Sequence, residues 1–136
     1  MSGATRQRSI VLILARDLAS TLATPMVLVD NQGDILFFNE AASRISGRPF
    51  VEGKTMPLDE WRSMFQPSDE EGLPVPFEEM PLGIALRERR PAHRVITIQG
   101  PDGVAHRLQA TAIPLFARAD ELVGGLAVFW GDPGEA

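Results

Sequence analysis

The chain has no cysteine among its 136 residues. Disulfides, thiolate metal sites, cysteine nucleophiles and flavin–cysteinyl adducts are therefore excluded by inventory. Long hydrophobic runs are missing as well. The longest near the start, residues 10–15, is broken by Arg16 and Asp17 and falls far short of the ~20 residues that span a bilayer. It is also shorter than the ~7–15 apolar residues of a signal peptide, although Arg6 and Arg8 precede it. A cytoplasmic protein is the expectation. Positive charge is in deficit, with a formal net charge of −5, and tracking a phosphate backbone needs clustered Lys and Arg. The densest basic group, Arg87, Arg89, Arg90 and Arg94, falls at a predicted helix end, where cations complement the macrodipole. No nucleic-acid partner is expected.

What is present suits one compact domain, since 44% of the residues are hydrophobic and a chain of this size can bury a core without staples. Residues 5–24 lack Gly and Pro, and Val11, Leu14, Leu18 and Leu22 recur at steps of three and four, which predicts a helix with one apolar stripe. Pro25 ends it. MVLVD and ILFF flank the polar turn Asn31, Gln32, Gly33 and Asp34, the pattern of a strand hairpin. Asn39 then offers a side-chain oxygen to the free N–H groups opening the helix EAASRIS, and Gly47 can close it left-handed.

Residues 48–56 read as loop, a helix follows at 58–65, and PSDEEGLPVP is an acidic, proline-bearing loop. Pro81 fits the first turn of a helix running to Arg89, with Glu78 and Glu79 at its positive end and Pro91 as the stop. HRVITIQ, the turn GPDG and VAHRLQATAIPLF form a second hairpin. After a link at 117–121, LVGGLAVFW is a last strand. The order predicts an α+β domain: a five-stranded antiparallel sheet with helices on one face, plus an N-terminal helix. The division is residues 1–24 as helix, 25–131 as the domain and 132–136 as a tail.

The order and the joints resemble the PAS domain family in its bacterial sensor-kinase branch, a profilin-like fold, over residues 18–129. MVLVDNQGDILFFNEAASRISG resembles the family's opening, in which Asn39 caps a helix, Ala41 and Ala42 pack closely and Gly47 ends it. GLPVPFEEMPLGIALRERRP resembles the segment leading to the helix beside the ligand cavity, and GPDGVAHRLQATAIPLF and LVGGLAVFW resemble the closing strands. The family often continues through an Asp-x-Thr junction into a signalling helix. Here Asp132 is followed by Pro133 and Gly134, which disfavour helix.

The resemblance implies a sensory module without enzymatic activity. Haem-binding relatives place a histidine on the helix beside the cavity, and residues 80–89 carry none. Non-covalent flavin is not asked for by any residue, so the cofactor is left unknown. His93 and His106 fall on neighbouring strands and can approach each other, but two ligands make a poor metal site. Ser20, Ser43, Ser46, Ser63 and Ser68 lack a glycine elbow, and Glu70, Glu71, Glu78 and Glu79 read as capping and solvated residues rather than an acid/base pair. The candidate cofactor-binding site is a cavity formed by Ile45, Leu82, Leu86, Ile96, Leu108, Ala110, Ala112, Ala127 and Phe129, with the small residues leaving room. The alternative is a packed core. An occupant would be small and apolar.

The N-terminal stripe either packs on its own sheet or mates with the same helix of a second copy through Val11, Leu14, Leu18 and Leu22, giving a homodimer. The expected function is sensing by ligand binding or homodimerisation, regulating a histidine kinase or transcription regulator. The alternatives are a ligand-free scaffold and a small isomerase-like enzyme, the last requiring a buried Asp, Glu or His in the pocket.

Overall fold

The computed structural model describes residues 3–47, 54–99, 103–118 and 120–131. The expected GPDG turn and the tail with Asp132, Pro133 and Gly134 lie wholly or partly outside them. So does most of the expected loop at 48–56.

Helix α1 (Gly3–Thr21) leads into the hairpin β1 (Met26–Asp30) and β2 (Ile35–Phe38), then α2 (Glu40–Ser46) and α3 (Leu58–Phe65). A 3-10 turn (Phe77–Glu79) precedes α4 (Pro81–Glu88), and β3 (Ala92–Gln99), β4 (Ala105–Arg118) and β5 (Glu121–Gly131) complete the chain. All strand pairs are antiparallel and the order is β2-β1-β5-β4-β3. The first strand thus pairs with the last, and the sheet closes only when the whole chain has been made.

The alternation along the strands divides the sheet into two faces. Val29, Ile35, Phe38, Ile96, Leu108 and Ala127 turn to one side, where Ala42, Trp61 and Leu82 of α2, α3 and α4 join them in the main core. Met26, Leu28 and Leu126 turn to the other and pack under Ala15 and Ala19 of α1. The three later helices therefore share one face as expected, while α1 covers the opposite one.

Local chemistry fixes the joints. In the β1–β2 turn the Asp30 Oδ1 accepts from Gln32 N at 2.8 Å and Asp34 N at 3.1 Å, and Gly33 takes a φ of 89°, a region that glycine alone enters without a Cβ penalty. Pro57 precedes α3 and has no side chain able to cap it. Asp34 supplies the missing acceptor from the turn, taking Leu58 N at 2.9 Å. Pro114 lies within β4, but β3 pairs with β4 only as far as Ala112. Beyond that point β4 has a partner on one side only, so a residue without an N–H is tolerated.

Candidate functional site

The helices α2, α3 and α4 leave a cavity of about 60 Å³ against the inner sheet face. Val27, Ile35, Phe38, Ile96, Leu108 and Phe129 form the sheet wall, with Ile98 beside them. Ala42 and Ile45 come from α2, Trp61 and Phe65 from α3, Leu82 from the first turn of α4 and Met80 from the position that precedes it. Pro25 and Pro67 complete the rim.

The wall is almost wholly apolar. Trp61 presents its ring to the cavity while its Nε1 donates to Gly33 O at 3.1 Å, and it packs edge-on to Phe77 with centroids 5.9 Å apart. Among the described residues no titratable side chain lines the space. Its volume exceeds the ~10–15 Å³ needed for one water, yet it is well below the ~150 Å³ of an engineered apolar cavity that takes benzene.

Five of the nine residues expected from the sequence line this cavity: Ile45, Leu82, Ile96, Leu108 and Phe129. Leu86, Ala110, Ala112 and Ala127 do not, and that expectation is corrected. Ala110, Ala112 and Ala127 are fully buried in the packed core, with Leu86 against them. Small side chains bring α4 close instead of leaving space. A Cβ built on the neighbouring Gly125 would stand 3.2 Å from Leu82 Cδ2 and 3.4 Å from Leu86 Cδ2. The room reappears towards β1, β2 and α2, where Pro25, Val27, Phe38 and Ala42 were not foreseen. The NEAA joint and the aromatic content of α3 are the signals that pointed there.

The two histidines do not meet, contrary to the sequence reading. His93 pairs with Thr111 and His106 with Ile98, which puts them on opposite faces because side chains alternate along a strand. On the outer face, His93 Nδ1 is 2.7 Å from Thr111 Oγ1 and its Nε2 is 2.6 Å from Gln109 Oε1, while Trp130 packs on its ring at 5.7 Å. Among the described residues, no three His, Asp or Glu side chains converge as metal ligands.

The arginines around α4 have partners of their own. Arg89 Nη1 donates to Asp120 O at 2.6 Å, Arg94 faces Glu79, and Arg107 on β4 pairs with Glu70 at 2.8 Å. The guanidinium of Arg90, and then that of Arg87, hold the exposed Glu88 carboxyl below its ordinary range.

On α1 the stripe foreseen from the sequence faces away from the molecule. Ala15, Ala19 and Leu12 make the contact with the sheet, Val11 is half-buried, and Leu14, Leu18 and Leu22 are 62%, 52% and 40% exposed. Arg16 lies with its guanidinium carbon 4.9 Å from the centroid of Phe37 on β2. Leu14 and Leu18, two residues to either side of Arg16, stand about 160° round the helix from it. On the same outer face of the sheet, Ile113 of β4 and Trp130 of β5 are also exposed.

A profile of the PAS domain family matches residues 14–81. No curated protein matches the chain. Among solved structures, the chain is similar to a LOV protein of Rhodobacter sphaeroides at 16% identity and a TM-score of 0.66, covering 98% of this chain and 71% of that one. It is also similar to the PAS domain of nitrogen regulation protein NR(II) from Vibrio parahaemolyticus, at 15% identity and a TM-score of 0.60, over 88% of this chain and 98% of the other. The PAS domain of a Colwellia psychrerythraea protein aligns at 14% identity with a TM-score of 0.56, over 92% and 99%. The profile spans the α1 end, the first hairpin, the Asn39-capped helix and α3, and on that match the chain belongs to the PAS domain family.

Proposed function

We propose that the chain is a cytoplasmic sensory and signal-transduction module that holds a small apolar ligand in its cavity and pairs with a second copy through α1. The observation that carries the reading is the apolar cavity between sheet and helices, because an interior is normally filled to crystal-like density. An occupant is neutral and, for about 60 Å³ of room, smaller than benzene, since among the described residues the wall is almost wholly apolar. The role proposed is non-enzymatic: among the described residues the lining carries no acid, base or nucleophile. Among the described residues no helix is long and apolar enough to cross a membrane. The downstream partner would be a histidine kinase or a transcription regulator.

Native mass spectrometry of the protein against its denatured mass tests the ligand. Added mass of a small neutral molecule is the expected result. A clean dimer of bare chains would instead favour the ligand-free scaffold.

The pairing rests on the exposed stripe. Ile10, Ile13, Leu14, Leu18 and Leu22 are each 40 to 62% exposed, which leaves roughly 500 Å² of apolar surface per copy, about 1,000 Å² in a symmetric pair, the lower bound of a stable interface. The surface on one copy lies towards the upper end of the ~300–600 Å² of the largest apolar patch on a typical monomer, a patch that often serves binding. The double variant Leu14→Glu, Leu18→Glu is expected to sediment as a folded monomer where the parent is a dimer, since burying four like charges across the seam has no compensation. A variant that stays dimeric, or a parent that is monomeric, would rule out this interface.

A further inference from the structure

Asn39 is a buried polar side chain, 3% exposed, and both ends of its amide are engaged. Its Oδ1 accepts from Met26 N at 3.1 Å and from Ala42 N at 3.0 Å. Its Nδ2 donates to Ala19 O at 2.9 Å and Thr24 O at 2.8 Å, with Leu22 O at 3.3 Å. An amide has two N–H donors, so the longest of the three contacts is shared.

These partners fall into two groups. Ala42 lines the cavity itself, while Met26 and Thr24 are each joined in sequence to a lining residue, Val27 and Pro25, and Phe38, which precedes Asn39, lines the space too. Ala19 and Leu22 belong to the last turn of α1 and its exit, beside the exposed Leu18. A helix leaves its final carbonyls without intrahelical donors. Here one planar side chain, next in sequence to the lining residue Phe38, donates to one of them, Ala19 O, and to the carbonyls of Leu22 and Thr24 just beyond the helix.

We infer that Asn39 is the coupling element by which a change at the cavity wall reaches the pairing helix, an inference that rests on the reading of cavity and helix given above. The start of β1 and the first turn of α2 cannot move apart from the end of α1 without breaking bonds to this amide. A buried amide left without partners is strongly disfavoured. Displacement of Phe38 or Ala42 by an occupant therefore either drags the last turn of α1 with it or releases that turn. Linkage requires the reverse effect as well: pairing of α1 changes the affinity of the cavity by the same factor.

A double-mutant cycle tests this without any knowledge of the natural ligand. Asn39→Asp keeps an oxygen for Met26 N and Ala42 N but removes the donors to α1. Leu108→Phe extends a ring into the cavity from the opposite wall. The readout is amide hydrogen exchange over residues 18–23 in the parent, both single variants and the double. Leu108→Phe is expected to change exchange in that turn at least fivefold when residue 39 is Asn and less than twofold when it is Asp. Asn39→Asp alone should leave β4 and β5 protected.

Equal responses in the two backgrounds would overturn the inference. So would an α1 turn that stays unchanged in Leu108→Phe while the amides of Ile96 and Phe129 shift. Should Leu108→Phe not fold, xenon under pressure, which enters apolar cavities, supplies the perturbation with the same two outcomes. Neither readout depends on dimer formation or on a bound metabolite, so the failure of either earlier proposal is told apart from the failure of this one.

Discussion

Asn39→Ala is expected to destabilise the fold by about 3 kcal/mol, because it leaves buried donors and acceptors unpaired, each worth ~1–3 kcal/mol before relaxation. Three losses add up. Met26 N loses its acceptor at the start of β1, Ala42 N loses the cap of α2, and the carbonyls of Ala19 and Thr24 lose the bonds that hold the end of α1. A cap alone contributes about 1 kcal/mol. For a domain of this size the expected drop in Tm is about 10–15 °C, read by calorimetry, with a matching fall in the urea midpoint. A loss below about 1 kcal/mol would mean that water replaces the amide and that Asn39 is an ordinary cap.

Gly83→Ala sets helix propensity against packing, and packing is expected to win. Gly83 sits in the first turn of α4, where alanine would be favoured by about 1 kcal/mol on propensity alone. A Cβ there would lie inside contact distance of the Phe77 carbonyl and 3.1 Å from Glu78 Cα. These are backbone atoms of the 3-10 turn, so the turn itself has to shift, which drags Phe77 off Trp61 and away from Gly33. A net loss of about 3 kcal/mol is expected, at the upper end for overpacking.

Gly72→Ala is the control. That glycine has a φ of 83° and nothing within 4 Å of a built Cβ, so only backbone strain of roughly 1–2 kcal/mol applies. Urea melts of the two variants check the order. A Gly83→Ala protein more stable than the parent would overturn the packing argument.

The parts legible in the sequence are those set by chemistry within a few residues. Asn39 accepting from Ala42 N and Gly47 at a φ of 74° stand where the NEAASRISG string put them. The stripe of α1 was legible because helical periodicity survives any tertiary context. The cavity was legible only in part, because its position depends on how closely α4 approaches β5. Ala112 and Ala127 read as space from the sequence, and together with Gly125 they are the reason the leucines of α4 come near. Register decided the histidines: a strand assignment places His93 and His106 as neighbours, and only the pairing with Thr111 and Ile98 puts them on different faces. The second role of Asn39 was illegible too, since its donors reach back to Ala19 and Thr24 across a fold that local pattern does not specify.

The two tryptophans of the chain stand on opposite sides of the sheet. Trp61 is buried in the cavity wall, and Trp130 lies 40% exposed beside His93 on the outer face. The protein thus carries its own pair of optical gauges. With phenylalanine in place of Trp130, emission reports filling of the interior; with the reverse replacement, it reports whatever comes to cover the outside. Recorded on the same titration, the two signals would show which event happens first and whether one ever occurs without the other.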